Sequence, residues 1–309
     1  MDPLLPDRYP TKDFFVADIF DATPKDDMAS MEHPMFSLAK QPDMSIRRYE
    51  HNGDSIEIQP SHIGLPTIWD KDILIYCISQ LMEGINRGRE PSPTLKITAH
   101  DLLVSTNRAT GGTDYKRLAL AFTRLRSSQI VTDIETNGVR QTEGFGFIDA
   151  WGIVEKSKTD DRMISVSVRL SEWLYNAVLG SEVLTVNRDY FRLRGGLERR
   201  LYELARKHCG NQSRWSISTE LLHKKTGVKS PLKTLRLQLR KLAKSNVLPD
   251  YRISYNDEKD QVIFYNRKGG KAAKARFDDD IKQLFKPPLA TAKCTLKKTS
   301  ITESQIDLF

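Results

Sequence analysis

The chain has 309 residues, 39% hydrophobic and 28% charged, with a formal net charge of +8 and a pI of about 9.2. That length and mix fit two globular domains with tails and exclude a wholly disordered chain. No run approaches the roughly 18 apolar residues of a membrane span, the N-terminus lacks the basic-then-apolar order of a signal peptide, and Cys77, Cys209 and Cys294 form no C-x-x-C pair. A cytoplasmic protein with no disulfide framework, no metal site and no membrane partner is expected.

Charge is unevenly placed. Residues 1–30 hold seven Asp against three Lys/Arg, residues 192–245 hold fifteen Lys/Arg against three Glu, and residues 267–298 hold ten Lys/Arg against three Asp. The middle stretch alone, at +12, exceeds the sum for the whole chain, which directs attention to a polyanionic partner there.

In chain order, residues 1–30 read as an acidic, mostly extended arm with one apolar island, Phe14 to Phe20. Asn52-Gly53 between RRYE and SIEI signals a hairpin. Asp70 is placed to cap a helix whose Ile73, Leu74, Cys77, Ile78 and Leu81 recur at helical spacing. Thr98 reads as the cap of a second helix over Ala99–Ser105, and Asp114–Ser127 as a third, with Leu118, Ala121, Phe122 and Leu125 inward. QIVTDIET, a turn at Asn137-Gly138 and GFGFIDAWGIVEK then give strands. Three helices followed by a β-ribbon is the order of a winged helix.

The plan repeats in the second half. MISVSVRL is a strand, SEWLYNAVL a short helix capped by Ser171, and a long helix runs from about Gly196 to His208, stopped by Gly210. RWSIS is a strand, Ser218 caps a helix over Thr219–Lys225 ended by Gly227, and Ser230-Pro231 opens another that reaches Ser245. YRISYNDEKDQVIFYNR forms the wing. A short helix, Arg276 to Phe285, is expected in the basic tail. The expected fold is therefore α+β, two winged-helix domains in tandem with flexible extensions: an arm at 1–30, a first domain at 31–160, a second and main DNA-reading domain at 161–267, and a tail at 268–309.

Within SPLKTLRLQLRKLAKSN, residues 230–246, Leu232, Leu235, Leu239 and Leu242 share one face, while Lys233, Arg236, Arg240 and Lys244 share another, with Lys241 beside them. A short helix and a tight turn carrying Lys224, Lys225 and Lys229 precede it, as a helix-turn-helix requires. Such a helix fits the major groove of B-DNA. The bland alternative is a solvated basic face on a core helix. The equivalent helix of the first half offers fewer cations, Arg117 and Arg124, and reads either as a phosphate grip or as a face toward a second copy.

Catalytic signatures are missing. RKGGKA has its glycines in the wrong frame for a P-loop, GFGFID lacks the third glycine of a dinucleotide fingerprint, and no two of the six histidines lie two apart as a nicking enzyme's metal pair would. His208-Cys209 reads as helix-end packing, and no cofactor is expected.

HPMFSLAKQPD (33–43), RRYEHNG (47–53), GLPTIWDKDILIYCISQL (64–81) and DYFRLRGGLERRLYELARKHCG (189–210) together resemble the plasmid replication initiator protein A family, the RepA-type initiators. The resemblance covers about residues 30–265. It implies a non-enzymatic protein that binds repeated sites in double-stranded plasmid origin DNA, helps open the adjacent duplex and recruits the host helicase and initiator, in some cases as a homodimer that represses its own gene. SQIDLF at the end of the sequence fits that role. Gln305, Ile306, Asp307, Leu308 and Phe309 match the Q-x-[DS]-L-F peptide by which bacterial proteins dock on the sliding clamp. The rival readings are Leu308 and Phe309 folding back on the body, a winged-helix repressor with no replication role, and a nuclease or relaxase.

Overall fold

Apolar periods of 3.6 and 2 become eight α-helices and thirteen strands among the described residues of the computed structural model, which covers residues 4–10, 23–51, 53–140, 144–156, 163–268 and Phe277. Strand β1 (Lys25–Asp27) leads into helix α1 (Met28–Glu32), then β2 (Arg47–His51) and β3 (Asp54–Gln59) form the expected hairpin. The first unit follows: α2 (Lys71–Asn86), β4 (Thr94–Thr98), α3 (Ala99–Ser105) and α4 (Gly112–Ser127). Next come β5 (Gln129–Thr132), a small hairpin of β6 (Glu135–Thr136) and β7 (Val139–Arg140), then β8 (Ile148–Lys156) and β9 (Met163–Leu170). Helix α5 (Glu172–Leu179), β10 (Val183–Thr185) and a 3-10 turn at Arg188–Arg192 lead to the second unit. That unit comprises α6 (Gly196–His208), β11 (Arg214–Ser218), α7 (Thr219–Thr226), α8 (Leu232–Ser245), β12 (Tyr251–Asn256) and β13 (Gln261–Asn266).

The two units share one topology. Each is a helix, a strand, two helices and a two-stranded hairpin, and each closes an antiparallel sheet in which the isolated strand pairs with the last one: β4-β9-β8 and β11-β13-β12. A third sheet, β2-β3-β5, sits on the first unit, and β1 pairs with β10.

Local chemistry sets several boundaries differently from the sequence reading. Asp70 is the residue before α2, but its carboxylate accepts from Thr67 N–H and from Arg124 instead of capping the helix. Thr98 makes no side-chain cap bond to α3, whereas Ser171 and Ser218 cap α5 and α7 as expected. Pro231 takes the cap position of α8, one residue later than expected, and the Ser230 carbonyl accepts from His223 Nε2 at 2.8 Å. Gly227 ends α7 at φ +66°, and a Cβ there would lie 2.7 Å from Pro34, so a side chain is doubly excluded.

The arm needs the largest correction. Residues 25–30, expected in a mostly extended arm, form β1 and, with Met31 and Glu32, α1 inside the body; Asp26, Asp27, Ser30 and Met31 are all at most 1% exposed. Residues 4–9 also lie on the body, where Leu5 N–H donates to the Arg192 carbonyl and the Tyr9 hydroxyl to that of Arg108. The apolar island at 14–20 and all of the tail helix except Phe277 fall outside the described residues.

Helix α2 is buried on almost every side, including Lys71, Asp72, Ser79 and Gln80 beside the apolar positions. Polar groups placed that deep need partners. Lys71 Nζ lies 2.7 Å from Asp26 and 3.2 Å from Glu203 of α6, as ion pairs; the Tyr190 hydroxyl donates to Glu203 at 2.6 Å. Arg199 pairs with Asp72 at 2.7 Å and Arg108 joins it at 3.0 Å. Arg200 bonds Glu203 and the carbonyls of Ser30, Met31, Glu32 and Lys225. Burial above all raises the Asp26 carboxyl well above its ordinary value. Burial opposes the charge of Lys71 as well, but the surrounding carboxylates, Asp26 first, outweigh it and raise the ammonium above its ordinary value. The cluster joins α1, α2, α6 and α7, so both units share a continuous apolar core running from Met35 to Phe264.

Removing one partner of a buried ion pair leaves a charge uncompensated. Lys71→Met should therefore cost on the order of 3 kcal/mol, read as a lower urea midpoint. Because the core is shared, fluorescence of Trp151 in the first unit and Trp215 in the second should report a single transition; two separated transitions would contradict a shared core.

Candidate nucleic-acid interface

Helix α8 is amphipathic. Leu235 and Leu239 are buried, and Leu232, Leu242 and Ala243 pack beside them. Helical geometry then sends Lys233, Leu237, Lys241 and Lys244, spaced four, four and three, along one outward stripe, with Thr234 and Gln238 at its side. All six are exposed, and the three lysine side chains make no hydrogen bond or ion pair among the described residues. Leu237 is 52% exposed, an apolar group held outward between cations.

Arg236 and Arg240, expected on the same face as Lys233 and Lys244, lie on the flank toward the β12–β13 turn. Arg236 grips Asp260 with two bonds, at 3.0 and 2.6 Å, and Arg240 holds Asp257 at 2.8 and 2.5 Å. The Tyr255 hydroxyl also donates to Asp260, and the Arg240 guanidinium sits 5.0 Å over the Tyr255 ring. These two arginines thus fasten the hairpin to the helix. The hydrogen bonds from Arg236 hold the Asp260 carboxyl well below the usual carboxylate range. Asp257 and Asp260 lie in the turn between β12 and β13. Only the closed sheet brings them against Arg240 and Arg236, so no local pattern in the sequence could pair them.

The turn between α7 and α8 divides the remaining expected cations. Lys224 is exposed. Lys225 is not a surface cation: it is 4% exposed and pairs with Glu32. The same carboxylate lies 3.0 Å from His208 Nε2. Burial opposes ionisation of Glu32, but His208 and Lys225 outweigh it and hold the carboxyl well below its usual value. His208 also stacks on Trp215, with ring centroids 4.6 Å apart, which is the helix-end packing expected of it. Lys229 is outward but bonds Asp43 and Ser45, both at 2.6 Å, and Arg47 reaches Asp43 at 3.1 Å and the Gly227 carbonyl at 3.3 Å. The loop before β2 is thereby tied to the α7–α8 turn, a contact that no local pattern signalled.

In the first unit, Arg124 is committed to Asp70 by two bonds at 2.7 and 2.8 Å, which removes it from a phosphate-gripping role. Arg117 is outward, with a long 3.4 Å contact to Asp114. Gln305 to Phe309 lie outside the described residues. No group of three or more His, Cys, Asp or Glu among the described residues is placed to hold a metal ion, and no described helix is long and apolar enough to cross a membrane.

The architecture is that of a two-unit α+β protein with the fold of domains 2 and 3 of RctB. The crystal structure of those domains superposes with a TM-score of 0.56 at 11% identity, covering 77% of this chain and 97% of that one. The chain belongs to the replication initiator protein A family, whose model matches residues 25–253. It is also 40% identical over 259 residues to a protein of Wigglesworthia glossinidia brevipalpis named as an inferred replication protein, spanning 83% of this chain and 94% of that one. Family membership supports a role in replication initiation.

Because Asp260 has a depressed carboxyl value, its grip on Arg236 contributes fully above the ordinary aspartate range and is lost as pH falls through the folded value. The Arg236 side-chain N–H resonance should therefore stay fixed from pH 7 to 5 and move only in strong acid. Asp260→Asn should shift it already at pH 7; an unchanged resonance would mean that the pair does not hold in solution.

Proposed function

We propose that the chain is a sequence-specific DNA-binding initiator of plasmid replication, built from two winged helices, with the second unit as the main reader. The observation that carries this is the outward stripe Lys233, Leu237, Lys241 and Lys244 on a helix braced by a hairpin. Lysines supply phosphate or guanine contacts, an exposed leucine suits a thymine methyl, and Gln238 at the edge has the donor–acceptor pair that recognises adenine. Lys224 flanks the helix where a phosphate backbone passes, while Lys229, expected beside it, is engaged by Asp43 and Ser45. Arg236 and Arg240 act as positioning residues: they hold the hairpin at the angle from which it reaches the neighbouring groove.

The first unit lends a second, weaker contact through Arg117, and repeated origin sites let several copies assemble and open the adjoining duplex. Gln305, Ile306, Asp307, Leu308 and Phe309 recruit the sliding clamp, with Leu308 and Phe309 filling its apolar pocket and Gln305 bonding at the rim. The host helicase and initiator are the further partners of this reading, and a homodimer is the form suited to self-repression.

Lys233→Ala, Lys241→Ala and Lys244→Ala should each weaken origin binding and lower the log–log salt slope by about 1, measured by fluorescence anisotropy across a salt titration. Slopes equal to the wild type would remove the stripe from the interface. Asp260→Ala gives a sharper contrast: it raises net positive charge, yet affinity should fall because the hairpin is freed.

Deleting 305–309 should abolish clamp binding and plasmid maintenance while leaving origin affinity unchanged. Maintenance at the wild-type level would instead favour a repressor without a clamp partner.

A further inference from the structure

Strand β4 is an outer strand. It pairs with β9 on one side, and among the described residues no main-chain hydrogen bond of Thr94 to Ile97 crosses its other edge. Between that edge and the last turns of α2 runs a groove of about 180 Å³, floored by Leu81, Ile85, Leu95 and Ile97. Gln80 lines it. The residue is only 6% exposed, yet among the described residues neither its Nε2 nor its Oε1 has a partner. A buried carboxamide left unpaired is destabilising, and its natural complement is a donor beside an acceptor, which a main-chain peptide group presents. Lys96 and Arg89 stand at the rim against one carboxylate, Glu90. A free strand edge, an apolar floor and a waiting amide are the parts of a strand-addition site.

We propose that this groove receives Thr302–Phe309 of the same chain as an added strand along β4. The segment has the matching chemistry. It carries Glu303 and Asp307 and no cation, whereas residues 267–298 are strongly basic. Ile306 and Leu308 fall on one face of an extended strand, toward the floor, and Asp307 on the other, toward the rim cations. Between Lys268 and Thr302 the chain can span roughly 110 Å when extended, more than the roughly 50 Å across a folded body of this length. Tethering of this kind supplies a millimolar effective concentration, so even weak docking is populated.

Docking would shelter Ile306 and Leu308 and make occupation of the groove and capture of a partner mutually exclusive. The inference rests on the groove and not on the clamp reading; clamp binding is assayed separately, so either can fail alone.

The test is amide hydrogen exchange of the full chain, comparing the wild type with Ile306→Ala/Leu308→Ala, which removes the two side chains assigned to the floor. The main-chain amides of β4 should exchange about tenfold faster in the variant, and a synthetic TESQIDLF peptide at about 1 mM should restore the slow rate. Gln80→Leu, an apolar replacement of similar size, should speed exchange of the same amides in the wild-type background. Equal β4 exchange in the wild type and the double variant overturns the proposal. Protection that rises with protein concentration also overturns it, because the strand would then come from a second copy.

Discussion

Everything in this structure leans on a cluster of charge that has been taken out of water. Lys71, Asp26, Glu203, Asp72, Arg199 and Arg200 are each at most 3% exposed. Desolvating such groups is costly and is offset only when their geometry satisfies one another. Here ion pairs cross β1, α2 and α6, and Arg200 reaches the ends of α1 and α7, so elements distant in sequence are tied at one point.

The cluster also places the candidate interface. Helix α6 contributes Arg199, Arg200 and Glu203, and Arg200 reaches both the end of α1 and the Lys225 carbonyl at the end of α7. The turn into α8 is therefore held against the centre of the molecule. From the other side, Arg47 and Lys229 tie the same turn to the loop before β2. The outward lysines stand on a helix fixed at both flanks, which is what accurate reading of a rigid polyanion asks of a scaffold.

Cations in this chain do two kinds of work, and net charge does not separate them. Arg124, Lys225, Arg236 and Arg240 hold elements together, while Lys233, Lys241 and Lys244 remain directed at solvent. Arg124, Arg236 and Arg240 each grip a carboxylate with two bonds, which the planar guanidinium allows, whereas Lys225 holds Glu32 as a single ammonium.

Most elements could be read from the sequence, because helix and strand periods, Ser171 and Ser218 as caps, and Gly227 as a stop are local signals. So could the amphipathic character of α8. Strand β4 could not, and β9, which reads as the start of the second domain at 161–267, instead closes the first unit's sheet against β4 and β8. What the sequence did not determine was which charges remain outside. Arg236 shares a side with Lys233 by helical spacing, but Asp260 arrives beside it only when the hairpin folds back. Residues 25–30 likewise read as part of an acidic arm until Lys71 and Arg200 are brought against them. Local patterns set backbone conformation over a few residues, whereas the partner of a charge is decided by whichever element packs against it, and that is a property of the tertiary structure alone.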